Sequence, residues 1–142
     1  MPFKAFDLDL NRIVNSLRDQ VDKSHRFVCP ECNGEMVFVD AKLKCKHFRH
    51  KRDPCSFVSE PETEDHLEMK RIVAEALNGE VEVKIGNKWA DVACKDLSLV
   101  VEVQCSNIPM EAMVERTKEF NGQGYHVMWL FHPDFLVWTK RK

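Results

Sequence analysis

From Ser59 onward, the alternation of apolar and polar positions spells out a short series of elements. Met69, Ile72, Val73, Ala76 and Leu77 recur at helical spacing, with Ser59 and Glu62 at the separation of a capping box before them. A helix ending near Gly79 is therefore expected. "EVEVKI" and the two apolar runs of "WADVACKDLSLVVEVQCS" predict three strands in succession. Asn107 and Pro109 open a further helix, with Met110, Met113, Val114 and Thr117 on one side and "NGQG" as its stop. "YHVMWLF" predicts a fourth strand. The resulting order, α-β-β-β-α-β, is that of an α/β domain over 59–142. Ahead of it, Leu10, Ile13, Val14, Leu17 and Val21 lie at helical spacing and predict an amphipathic N-terminal helix within 1–26.

The second and third strands hold three polar side chains that do not suit a core. Successive strand residues point to opposite faces, so Val100, Glu102 and Gln104 share one face, and Leu99, Val101, Val103 and Cys105 the other. With Lys95 to Ser98 as the turn, Cys94 pairs with Leu99 and Asp91 stands opposite Glu102. Facing acids repel, and burial makes the repulsion worse. A hard divalent cation, Mg²⁺ or Mn²⁺, offsets it and prefers carboxylate oxygens. An edge hairpin with its polar face in water would need no metal, but the flanking Val and Leu residues argue for an interior hairpin.

Six cysteines fall into two groups. Cys94 and Cys105 sit in the apolar hairpin and read as small core residues. Cys29, Cys32, Cys45 and Cys55 cluster with His47 and His50 over 27–58, where "CPEC" has the separation of a zinc knuckle and "EMVFV" and "KLKCKHF" predict a hairpin. This reads as a zinc-ribbon-like module with Cys29, Cys32, His50 and Cys55 as ligands. His50 and Cys55 are preferred because the residues between them, including Pro54, can wrap both around one ion. His47 is a live substitute, whereas Cys45 and His47, two apart on one strand, are less able to chelate a single tetrahedral ion. A redox dithiol at Cys29 and Cys32 would precede a helix, and no helical period follows.

Composition narrows the rest. With 44% hydrophobic and 31% charged residues and a net charge of -2, the chain reads as a soluble globular protein whose overall charge does not advertise nucleic acid. No apolar run approaches the ~20 residues that span a bilayer. The acids in "MPFKAFDLDLNRIV" interrupt what a signal peptide would keep apolar, so a cytoplasmic address without membrane attachment is expected. Charge is nonetheless segregated: "KLKCKHFRHKR" is basic without an acid, and "EPETEDHLE" is acidic. Lys46, Arg49 and Lys51 alternate with the candidate zinc ligands and could grip DNA phosphates, as could Arg116 on the last helix, whose alternative is a salt bridge to nearby glutamates.

These residues carry a resemblance. The element order, an Asp opening the second strand and a Glu-x-Gln closing the third resemble the PD-(D/E)XK nuclease fold. "CPEC", "HFRH", "HLEMK", "ADV", "VEVQCS" and "ERTKEF...G..VMWLF" are similar in order and spacing to the competence-protein CoiA-like nucleases, over Phe27 to about Phe131. The resemblance implies a mixed central sheet flanked by helices and a metal-dependent phosphodiesterase acting on DNA. By position, it makes Asp91 and Glu102 metal ligands, puts Gln104 where the motif has its lysine, and places His66 near the metal on the first core helix. Glu62, His66 and Lys70 recur every four residues, forming one stripe beside that helix's apolar face. Gln104 cannot supply a cation, so activation of water falls to the metal or to Lys70.

Two functions follow as expectations. The first is a Mg²⁺- or Mn²⁺-dependent DNA endonuclease with a structural zinc module that helps to position DNA. The second is a catalytically weak or inactive nuclease-fold protein that binds DNA or acts as an adaptor in DNA processing. A homodimer is compatible with either.

Overall fold

The computed structural model describes residues 3–40, 42, 45–52 and 62–133. The chain divides into two compact units, Met1–Leu67 and Glu68–Lys142, and the division falls inside helix α1 (Glu64–Leu77).

In the first unit, strands β1 (Lys4–Asp7), β2 (Arg12–Asn15), β3 (Phe27–Val28), β4 (Glu35–Val39) and β5 (His47–His50) form an antiparallel sheet in the order β2-β1-β3-β4-β5. The N-terminal amphipathic helix expected within 1–26 is therefore replaced by a hairpin whose strand β1 also pairs with β3, just ahead of Cys29. The reason lies in its turn. The buried Asp7 carboxylate accepts the N–H groups of Asp9 and Leu10 through Oδ1, and Asn11 adopts a left-handed φ of 53°. Such Asx chemistry reverses the chain and competes with helix. Leu10 and Ile13, which helical spacing grouped with Val14, are about half exposed at 47% and 46%, while Val14 is buried. Asp7 Oδ2 also holds His25 Nδ1 at 2.7 Å, a hydrogen bond that raises the His25 pKa above its ordinary value. The core is Ala5, Val14, Phe27, Cys29, Met36 and Phe48. The Phe48 ring lies 5.1 Å from that of Phe27 and 5.3 Å from that of Phe38, within the range of favourable tilted pairs.

Helix α1 starts after Thr63, whose hydroxyl accepts the His66 N–H at 3.3 Å and whose carbonyl accepts that of Leu67. The Ser59 of the expected capping box lies outside the described residues. At the other end Asn78 turns left-handed (φ 48°) and the Gly79 N–H returns to the Ala74 carbonyl at 2.8 Å. Gly79 is required there by space, because a Cβ would stand 2.9 Å from the Ala93 carbonyl oxygen.

Strands β6 (Glu80–Ile85), β7 (Lys88–Cys94), β8 (Leu99–Gln104) and β9 (His126–Phe131) form the second sheet in sequential order. β6, β7 and β8 are antiparallel, and β9 joins β8 in parallel after the crossover helix α2 (Met110–Gly122). The α-β-β-β-α-β order read from the sequence is thus the order found, and Cys94 pairs with Leu99 as expected. Val100, Val101, Glu102 and Val103 are all buried. The hairpin is interior, because a strand facing water on one side would alternate.

Candidate active site

The two antiparallel registers bring three acids into one row. Extending the Val92–Val101 pairing by one residue sets Asp91 opposite Glu102, and the pairs Val81–Val92 and Val83–Ala90 bracket Glu82 and set it across from Asp91. Glu82 is 2% exposed and Glu102 3%, whereas the Asp91 side chain retains 18%. Glu82 also holds a left-handed φ of 51° inside its strand, a conformation that costs on the order of 1–3 kcal/mol for a residue other than glycine.

Two cations clamp this row from the helices. Lys70 of α1, 1% exposed, places its Nζ 3.6 Å from Asp91 Oδ1 and 3.8 Å from Glu82 Oε2. Arg116 of α2 donates through Nε and Nη2 to Glu102 Oε2 at 2.9 and 2.6 Å, and through Nη2 to the Trp89 carbonyl at 2.8 Å. The two facing acids are also tied to backbone: Glu102 Oε1 accepts the Asp91 N–H at 3.1 Å, and Asp91 Oδ2 accepts the Val103 N–H at 2.8 Å. Burial, and then the Asp91 charge, push the Glu102 pKa up to about 7 against the opposing pull of Arg116. With three carboxylates against two side-chain cations, the row carries a net negative charge when fully ionised. Its oxygen donors suit a hard divalent cation.

The structure thus gathers Asp91, Glu102, Lys70 and Arg116 from the residues singled out in the sequence. Arg116 sits in the cluster, paired with a buried strand glutamate and not with glutamates of its own helix surface. Gln104 ends β8 with its amide turned to Ser106, donating to the carbonyl at 2.6 Å and approaching Oγ at 3.3 Å. His66 lies one helical turn before Lys70 on α1, and Glu62 precedes the helix. Glu82 went unnoticed in the sequence, where "EVEVKI" reads as plain alternation. Its only signal was a second acid in a strand whose neighbour also carries one.

A second group lies in the first unit. Cys29, Cys32 and His50 each offer a ligand atom, and the three atoms lie within 4.8 Å of one another. The knuckle is built by the chain itself: Cys29 N–H donates to the Gly34 carbonyl at 2.8 Å, Asn33 is left-handed (φ 58°), and the Gly34 N–H donates to Cys32 Sγ at 3.3 Å. His50 Nε2 is 3.4 Å from Cys32 Sγ, and burial lowers the His50 pKa, favouring the neutral imidazole that binds metals. His47 instead bonds the Cys45 carbonyl through Nδ1 at 2.7 Å. β5 begins only at His47, so Cys45 lies outside the strand on which the sequence placed it. Cys55 lies outside the described residues. A third group, Asp7, Asp9 and His25, also converges within 4.8 Å, but its oxygens accept backbone and imidazole hydrogens and staple the β1–β2 turn.

The basic segment is exposed at Lys46, Arg49 and Lys51. Lys46 approaches Asp40 at 3.7 Å and Lys51 pairs with Glu35 at 3.2 Å, so part of its charge is matched locally. Among the described residues, no helix is long and apolar enough to cross a membrane.

The family model described as competence protein CoiA, nuclease-like domain, matches residues 62–141. That match takes in α1 to β9 and leaves out the Cys29–Cys32–His50 group. Competence protein CoiA of Bacillus subtilis (strain 168) is 31% identical over 128 residues, covering 83% of this chain and 34% of that protein. The chain thus spans about a third of that relative's length. No solved structure gives a significant match. The family model covers more than half of the chain, α1 to β9 with the facing acids included, and the chain belongs to the competence protein CoiA nuclease-like domain family.

Proposed function

We propose that the chain is a Mg²⁺- or Mn²⁺-dependent DNA endonuclease of the PD-(D/E)XK type, with the row Asp91–Glu102 at its centre. The observation that carries the reading is a buried Glu102, pushed up to about 7, facing an Asp91 that keeps solvent access. Three carboxylates against the two cations Lys70 and Arg116 leave the row short of positive charge, which a divalent cation would supply. Asp91 and Glu102 would hold the metal, with His66 as a further ligand from the same face of α1 as Lys70. A metal held there would neutralise the scissile phosphate and lower the pKa of an attacking water. The chain's own residues do the rest. Lys70 supplies the positive charge that Gln104 cannot, and Gln104 orients polar groups by hydrogen bonding alone. Arg116 keeps Glu102 oriented and stands ready to pair with phosphate.

In the first unit, Cys29, Cys32 and His50, with Cys55 as the fourth ligand, would hold a structural Zn²⁺. The metal would fix Lys46, Arg49 and Lys51 as a phosphate-binding ribbon. A second reading, a DNA-binding or adaptor protein with weak or no catalysis, is favoured by the grip of Arg116 on Glu102 and by Gln104 turned toward Ser106.

Incubating the purified chain with linear, circular, branched and single-stranded DNA in Mg²⁺ or Mn²⁺ separates the two readings. The expected result is cleavage that chelation stops and that Asp91→Asn and Glu102→Gln each reduce by at least about a thousandfold. DNA binding without metal-dependent cleavage would decide for the adaptor.

A further inference from the structure

Lys70 occupies an unusual position for a catalytic cation. It is almost wholly buried and lies between two acids, 3.6 Å from Asp91 and 3.8 Å from Glu82. On the reading above, Asp91 is also the more accessible of the two carboxylate ligands, so the ammonium and a divalent cation compete for the same carboxylate. A divalent ion at Asp91 would leave a buried ammonium facing like charge, which is costly unless another anion takes it. The acid that can take it is Glu82. It is buried in the same row, directly across from Asp91, and its left-handed backbone is held between the Val81–Val92 and Val83–Ala90 pairs that precede and follow it on β6.

We infer that Glu82 is a positioning residue that retains the Lys70 ammonium at the cluster when Asp91 engages a divalent cation. This inference rests on the proposed metal site and goes beyond it by assigning the third carboxylate. Glu82 acts through Lys70, so its loss should make Lys70 fall back on Asp91 and compete with the metal.

Calorimetric titration of Mn²⁺ alone into the chain reads this without DNA. Glu82→Gln should raise the apparent Kd by roughly tenfold, since an opposing charge at this range commonly alters a buried group's preference by a decade or more. Adding Lys70→Met in the Glu82→Gln background removes the competitor and should return the Kd to the wild-type value or below, while cleavage stays lost. Glu82→Gln binding Mn²⁺ as tightly as the wild type would overturn the inference. So would a double variant as weak as the single, which would make Glu82 itself a ligand. If Glu82→Gln does not fold, Glu82→Asp takes its place: the shorter acid should weaken Mn²⁺ binding and adding Lys70→Met should restore it, and unchanged binding in the first or unrestored binding in the second overturns the inference. Asp91→Asn that still binds Mn²⁺ normally would overturn the metal site itself, whereas Asp91-dependent binding indifferent to Glu82 would overturn only the role given to Glu82.

Discussion

Glu102→Gln tests whether the acid row stores electrostatic energy in the metal-free protein. The wild-type carboxyl moves from an ordinary 4.5 to about 7 on folding. At roughly 1.4 kcal/mol per decade, that displacement corresponds to about 3 kcal/mol. The folded state holds this proton more tightly than the unfolded chain. Below about pH 4.5 the group is protonated in both states and has no effect; as pH rises through about 7, its contribution falls by the full amount. Glutamine cannot titrate, so the variant lacks this loss. It also presents an N–H₂ group to the Asp91 N–H or to Arg116, which lowers its stability at every pH, so the informative quantity is the change in the difference between the two proteins. Urea unfolding in chelator at about pH 5 and about pH 8 should show the wild type losing about 3 kcal/mol relative to the variant across that range. Saturating Mn²⁺ should reduce the loss, because a bound cation favours the ionised carboxylate. Stability curves that run parallel for the two proteins would refute the argument.

Two further outcomes are expected. The purified chain should carry about one equivalent of zinc by elemental analysis, and Cys29→Ser or Cys32→Ser should release it and destabilise the first unit by several kcal/mol, given that structural zinc contributes roughly 10–16 kcal/mol to folding of small modules. His50→Ala should do more harm than His47→Ala, and the reverse order would show that the wrong histidine has been assigned. Replacing Lys46, Arg49 and Lys51 together by Gln should weaken DNA binding similarly for all sequences and flatten the salt dependence by about 2–3 in log–log slope, at about 0.9 per phosphate contact. Fluorescence anisotropy across a salt series measures this, and an unchanged slope would move the DNA path elsewhere.

The second unit was largely legible because its signals are local. A four-residue turn at Lys95–Ser98 fixes the register, and the register places Asp91 against Glu102 without further information. Helix α2 announced itself through Pro109 at its start and glycine at its end. The N-terminal segment misled because Leu10, Ile13 and Val14 fit a helical period by coincidence. What decides that stretch is the capture of two backbone N–H groups by Asp7, together with its long-range bond to His25. Glu82 was illegible for a different reason. Alternation assigns it to a face, but its left-handed backbone and its pairing with Lys70 depend on tertiary contacts. No local residue preference marks a glutamate for that conformation. Arg116 was legible as a cation but not in its partner, which comes from a strand 14 residues earlier.

The hydrogen bonds between Asp91 and Glu102 and each other's strands have a consequence for how this site can evolve or be redesigned. The β7–β8 ladder of paired backbone positions runs from Cys94–Leu99 to Val92–Val101. Beyond it, the splice between the strands is made by carboxylate oxygens accepting the Asp91 and Val103 N–H groups. The same side chains that would grip a metal therefore also close the sheet. A lineage that abandoned the chemistry could not freely discard these acids, because an apolar replacement would leave two interior amide hydrogens without acceptors, at about 1–3 kcal/mol each. Finding acids at these two positions in a related chain is thus weak proof of catalysis. An Asn or Gln there, which keeps an acceptor while removing the charge, would be the mark of a protein that has kept the fold and given up the metal.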